Sequence, residues 1–423
     1  MLVLLLFIFL ASILILVNTS AFRTKYNYAN AFILIWCFCA GISGLGLYGF
    51  YVPPAEAYVY VFLMLLCFEL ITLLSKKVRV SIRTTKKRNS TVISWRFINL
   101  VSVACIAIML PTMLLSLRTL ASEGMNMVRA MMLGNSLIST AQSLLLERII
   151  QPIIIANVVI TILDFIENKR VRVILPLSII SVVIFTAIYM NRWLVMETLY
   201  IIVTIMLIKY STGISRMIKE NKKIVLIGVF LISIMAYVTS QRQIRGSKGL
   251  LYNVYSYFIG SIHLFGVAIK ESDLFLLHNS DNLLYGGVLF SAILGIIDLI
   301  FLLVKGINSP IIPGGTIINE VVQKYYYVSP TTHMNNNVTM LYGFLRDGDI
   351  FGIILDTTIL ALFYAHLYKR QEENFFRKCR YIFALSIFPS LIFEWMLGRT
   401  YIILVFVVLW GYEKIFTKSE RSY

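Results

Sequence analysis

Apolar runs of bilayer length recur along almost the whole of this 423-residue chain. A run of about 20 apolar residues crosses the hydrocarbon core as a helix. Backbone groups in lipid have to be satisfied within their own segment, so helices are the spanning element such runs permit. With 59% of residues hydrophobic and 14% charged, the composition is not that of a soluble domain. The chain reads as an all-α polytopic membrane protein. Spans are expected near 2–17, 30–51, 57–75, 97–117, 149–166, 173–190, 193–210, 224–240, 350–368, 381–397 and 399–416. That is about eleven helices, with twelve or thirteen within reach of the same pattern. Leu2–Val17 has no basic stretch ahead of it and no small-residue cleavage site, so it is expected to stay as a first span.

Charge fixes the expected orientation. The net charge is +17, and 20 of the 38 Lys and Arg fall in four short stretches, 76–88, 167–172, 209–223 and 369–380. Basic loops at alternate ends of spans mark the cytoplasmic side. Nucleic acid would need a basic stripe on a folded surface instead, so no nucleic-acid partner is expected. This orientation puts the N-terminus outside and the C-terminus inside.

It also puts residues 241–348 outside, as a long insert within one integral membrane domain, 1–423. The insert is rich in Tyr, Phe, Leu and Ile, too apolar to stay disordered. It is expected to fold as a cap, with 250–270 and 283–304 as interfacial or re-entrant helices. Residues 118–148, rich in Met, Ser and Leu, suggest an amphipathic surface helix. None of the five cysteines (37, 39, 67, 105, 379) lies in the insert, and Cys37 and Cys39 read as small buried hydrophobes.

Four arginines fall at the outer ends of spans, where the charge bias disfavours them: Arg192, Arg242, Arg245 and Arg399. Each alone could snorkel to headgroups. Together they offer guanidinium forks suited to a pyrophosphate. His333, near the end of the insert, is a candidate general base. The acids Glu69, Glu197, Asp356 and Glu394 lie in or near spans, where a charge needs a partner or a task. Asp347-Gly348-Asp349 could hold a divalent metal, but reads better as the start of helix 350–368, with Asp349 as its cap. No HExxH, paired CxxC or phosphate loop occurs, and neither a metal nor a cofactor is expected.

The C-terminal half resembles the O-antigen and capsule repeat-unit polymerases (Wzy-type), within the polymerase/ligase group of integral-membrane glycosyltransferases. The resemblance rests on Asn337-Val338-Thr339, on Gly343-Phe344-Leu345-Arg346-Asp347-Gly348-Asp349-Ile350-Phe351-Gly352, on Asn191-Arg192-Trp193, and on the large outer loop after Arg242 and Arg245. It spans roughly residues 190–400. It implies a GT-C-like architecture in the bacterial plasma membrane. It also implies transfer of a growing glycan from undecaprenyl pyrophosphate to the next lipid-linked unit, with a flippase and a chain-length regulator as possible partners. A lipid-linked oligosaccharide flippase and an O-antigen ligase remain alternatives. A carrier is expected to show two comparable halves, and no internal repeat is visible in the sequence.

Overall fold

The structure, a computed structural model, describes residues 1–77, 93–134, 136–210, 218–240, 250–277, 280–306, 309–334 and 338–416. Among them the chain is nearly all-α, with a single two-stranded hairpin. Six helices are long and apolar enough to cross a membrane: Leu2–Phe22, Ala55–Lys76, Trp95–Glu123, Thr140–Asn168, Lys222–Thr239 and Met340–Arg370. The protein is therefore a multi-pass helical membrane protein. Leu2–Phe22 turns Leu5, Leu6, Phe9 and Leu16 outward, as a lipid-facing helix does, whereas Gln151–Asn168 is buried along nearly all its length.

Three expectations need correction. The span expected at 381–397 ends as a helix at Ser386 and continues through two short 3-10 turns, Phe388–Ile392 and Met396–Gly398. Pro389, which lacks an N–H to donate, sits in the first of these turns. The span expected at 30–51 ends at Ser43. Residues 118–148 do not form one surface helix. Trp95–Glu123 extends to Glu123, and Gly124, at φ 82°, turns the chain into the short helix Met125–Leu133. Thr140–Leu145 then runs through a π turn into Gln151–Asn168.

The chain divides into two compact units. Unit 1 comprises Met1–Thr84, Lys248–Lys369 and Ile387–Ile402; unit 2 comprises Thr85–Ser247, Arg370–Ser386 and Ile403–Tyr423.

Unit 1 has an aromatic core in which Phe32 stacks on Phe68 (4.0 Å) and Tyr364 on Phe388 (4.3 Å). Buried Asn18 donates to Glu69 Oε2 at 2.9 Å, giving that intramembrane acid a hydrogen-bonded partner. The two ends of this unit differ in chemistry. At one end Lys369 Nζ donates to Ser75 O at 2.5 Å, and Lys76 lies 5.0 Å over the Phe22 ring. At the other end, just before helix Ala55–Lys77 begins, Tyr51 N–H donates to Val328 O of the hairpin. The 23 residues of that helix separate the two ends by about 35 Å. The folded insert and the basic residues Lys76 and Lys369 thus occupy opposite ends of one bilayer-length helix.

Unit 2 packs around Gln151–Asn168. Within it, Asn157 donates to Ser102 Oγ (2.9 Å) and accepts from the Tyr412 hydroxyl (3.1 Å). Three basic stretches meet at one end of this unit. Lys169 donates to Tyr210 Oη and Asn221 Oδ1, Lys209 to Ile166 O, Arg172 pairs with Asp164, and Lys378 pairs with Glu167. Arg377 and Arg380 share Glu413 beside Asn374. Loops at 167–172, 209–223 and 369–380 were expected to share a face, and within this unit their described residues do.

Candidate functional site

In the insert, residues 250–334 fold as the helices Leu250–Phe258, Gly260–Lys270, Ser291–Lys305 and Gly314–Val322, followed by the hairpin. Strands β1 (Tyr326–Ser329) and β2 (Thr332–Met334) pair antiparallel with Tyr327 opposite His333, and a bulge falls between Tyr327 and Ser329. Strand alternation sends neighbouring side chains to opposite faces. Tyr326 turns inward, its ring 4.2 Å from Phe275 and its hydroxyl donating to Val321 O. Tyr325 and Tyr327 turn outward, 68% and 62% exposed, and both meet the His333 ring edge-on. The hairpin therefore presents an open aromatic face.

Tyr327 also lines a cavity of about 190 Å³, bounded further by residues 51–53, one side of helix Gly260–Lys270 and Glu271. Its wall is rigid for identifiable reasons. A methyl group on Gly266 would sit 2.8 Å from Pro53 Cα, so only glycine lets the helix lie this close to the segment. His263 is fully buried, with Nδ1 2.7 Å from Tyr51 O and Nε2 2.8 Å from the Tyr255 hydroxyl. A carbonyl can only accept, so Nδ1 carries the proton and the tyrosine donates to Nε2. Burial pushes the His263 pKa down to about 4, a drop partly offset by the Tyr51 carbonyl. Burial also raises Tyr255 to about 12. Both groups are neutral near pH 7, and together they brace the cavity wall.

A second cluster sits where helix Met340–Arg370 breaks. Gly348 and Asp349 leave helical geometry, Asp349 with φ 53° and ψ −136°. Asp347, one residue before the break, is buried and accepts the N–H groups of Val288 (2.8 Å) and Leu289 (2.7 Å). Asp356, about two turns beyond the break, is buried as well. Arg346 is also buried. It donates to Asn282 O, Phe275 O and Tyr342 Oη, while Tyr342 donates to Phe275 O. Asp347 was expected to favour the dipole of the helix that follows, with Asp349 as its cap. Instead Asp347 holds the turn that leads into Ser291–Lys305, and Asp349 is a point of the kink. Among the described residues, no three His, Cys, Asp or Glu converge as a metal site.

The arginines expected to form a clamp fall in different places. Arg192, in unit 2, donates to Thr239 Oγ1 at 2.7 Å, three residues before Arg242. Its neighbour Trp193 donates from Nε1 to Glu197 Oε1 (2.9 Å), giving that acid a partner. Arg242 and Arg245 lie outside the described residues. Arg399, in unit 1, pairs with Glu394 through Nε at 3.1 Å to both carboxylate oxygens and through Nη2. Five residues apart do not face each other on an α-helix. The 3-10 turn Met396–Gly398 and the extended backbone of Arg399 bring them together. His333 lies on the open hairpin face of unit 1.

Sequence reasoning missed the cavity residues Tyr51, Lys270 and Glu271. Tyr51 closed an expected span at 30–51 and Lys270 an expected helix at 250–270. Neither signal says that segments two hundred residues apart meet.

The fold and this site define a multi-pass α-helical membrane protein carrying a folded insert at one end of its unit 1. No protein-family model, curated protein or solved structure matches the chain.

Proposed function

We propose that this protein is an integral-membrane glycosyltransferase of the outer face of the bacterial plasma membrane. In this reading it polymerises oligosaccharide repeat units carried on undecaprenyl pyrophosphate, moving the growing glycan onto the next lipid-linked unit. The observation that carries the proposal is the opposition of chemistry along helix Ala55–Lys77. Lys76 and Lys369 gather at one end, and the aromatic insert with its cavity is seated at the other. With the basic end cytoplasmic, the insert faces outside, where no nucleotide sugar is available and an activated donor has to arrive on a lipid. The proposed topology keeps eleven crossings in a GT-C-like arrangement, the shorter helices such as Ile174–Tyr189 completing the six long ones.

The chemistry follows from the residue types. The bond between the anomeric carbon and the pyrophosphate oxygen breaks, and the acceptor hydroxyl oxygen forms the new glycosidic bond. The hydroxyl proton passes to a base, which we assign to His333 on the open face of the hairpin. Charge left on the pyrophosphate meets guanidinium groups. Arg399, half-exposed beside Glu394 and in the same unit as His333, is the described candidate in that unit.

Deletion of the gene separates this reading from its rivals. A polymerase loss leaves surface glycan one unit long. Loss of a lipid-linked oligosaccharide flippase leaves none at the surface, and loss of a ligase leaves long chains unattached. Either of the latter two results would overturn the proposal.

A further inference from the structure

The cavity beside the hairpin has a shape and a lining that the transfer chemistry does not use. It lies wholly within unit 1. At about 190 Å³ it falls below the roughly 300–1,000 Å³ of sites that take drug-sized ligands. It therefore suits a single ring. Tyr327, with most of its surface exposed, and the buried Pro53 both line it. Lys270 and Glu271, both exposed and consecutive in the chain, belong to the lining. A pyranose has an apolar face of C–H groups and a periphery of hydroxyls that both donate and accept. An aromatic ring complements the first, and an ammonium with an adjacent carboxylate complements the second.

We propose that this cavity is a subsite for one uncharged sugar ring of the acceptor glycan, seated against Tyr327 with its hydroxyls on Lys270 and Glu271. Adjacent opposite charges cancel at the opening, so a uronic acid or a phosphorylated sugar gains nothing from Lys270 that Glu271 does not oppose. The neighbouring ring of the chain runs out over Tyr325 and His333, which share the hairpin face with Tyr327. The wall needs no rearrangement to receive the ring. His263 is locked between Tyr51 and Tyr255, and Gly266 lies against Pro53. A preformed site avoids the ordering cost of building one on binding. Naming the ring as part of the acceptor rests on the polymerase reading; the sugar preference itself does not.

Saturation-transfer NMR on the full-length protein in nanodiscs tests the subsite, with D-glucose, D-galactose, N-acetyl-D-glucosamine and D-glucuronic acid as probes. At least one of the three uncharged sugars is expected to receive saturation and glucuronic acid to receive far less. Tyr327→Ala is expected to weaken binding about tenfold, the scale of one good aromatic contact. Tyr327 is exposed, so its loss leaves the fold intact. Glu271→Gln, which keeps the side-chain shape, should weaken binding less and let glucuronic acid in. No saturation of any uncharged sugar would overturn the subsite, as would binding untouched by both variants or wild-type binding of glucuronic acid equal to the others. Failure of the polymerase reading looks different: sugar binds with its Tyr327 dependence, but lipid-linked units are never lengthened. Elongation whose acceptor KM ignores Tyr327→Ala would sink the subsite and leave the polymerase standing.

Discussion

At the scale of single residues, buried polar groups carry the most information. His263 is neutral in the fold, with a pKa near 4 against an ordinary 6.5. As pH falls, the unfolded chain takes up this proton before the folded one does. The contribution is therefore complete above about pH 6.5 and is lost as pH falls from there toward 4. Detergent-solubilised protein is expected to lose melting temperature across that window, and His263→Gln should flatten the slope there. An unchanged slope would show that this histidine is not held neutral. Asp347 gives a second prediction. Its carboxylate satisfies the N–H groups of Val288 and Leu289, and leaving a buried donor unsatisfied costs about 1–3 kcal/mol. Asp347→Ala should lower the melting temperature clearly, and Asp347→Asn, which keeps one oxygen acceptor, should lower it less. The Asp347-Gly348-Asp349 string was legible as a local signal, but not for what Asp347 holds. An acid beside glycine reads as a helix start sooner than as a metal site, and only the position of Val288, some sixty residues earlier, shows what Asp347 holds.

At the scale of elements, apolar length was a reliable guide wherever the helix ran on unbroken. Helices Ala55–Lys77, Lys222–Ser240 and Thr400–Phe416 lie close to the stretches expected for them. It failed where hydrophobicity continued but the helix did not. Residues 381–397 stay mostly apolar, yet the chain leaves α-helical geometry after Ser386 and turns twice before Arg399. Those turns create the Arg399–Glu394 pair, which helical spacing argued against. The pair is part-exposed, and such pairs are worth about 0–1 kcal/mol. Arg399→Ala and Glu394→Gln should therefore leave the melting temperature almost unchanged. In the functional account Arg399 meets the leaving pyrophosphate. Arg399→Ala is then expected to cut turnover by roughly 10²–10³-fold, with poor rescue by Lys, which lacks the planar fork. Full activity in the alanine variant would remove this arginine from the mechanism. The hairpin was not legible at all: Tyr325–Met334 has the aromatic content of a headgroup belt, and nothing local distinguishes that from a strand pair.

At the scale of the whole molecule, the distribution of charge was the most legible property, because lysines and arginines that share a membrane side show themselves by clustering along the chain. In unit 1, Lys76 and Lys369 lie at the end of a bilayer-length helix opposite the insert, and in unit 2 the residues of three basic stretches bond to one another. The orientation that follows is testable with an impermeant thiol reagent on intact cells whose outer envelope is permeable. The five native cysteines, none of them exposed, would first be replaced. Thr331→Cys at the hairpin turn should label and Lys76→Cys should not; the reverse pattern would invert the protein in the membrane. What the sequence could not disclose is the meeting of residues 51–53, 263–271 and 327 around a cavity, since no local pattern encodes contacts of that separation. The central claim is that this fold lengthens a lipid-linked glycan, and the most direct measurement is elongation by the purified protein. Reconstituted in liposomes with undecaprenyl-pyrophosphate-linked repeat units and excess EDTA, it is expected to yield a ladder of products longer than one unit. Movement of the lipid-linked sugar across the bilayer, with no product beyond a single unit, would contradict the account and leave a carrier in its place.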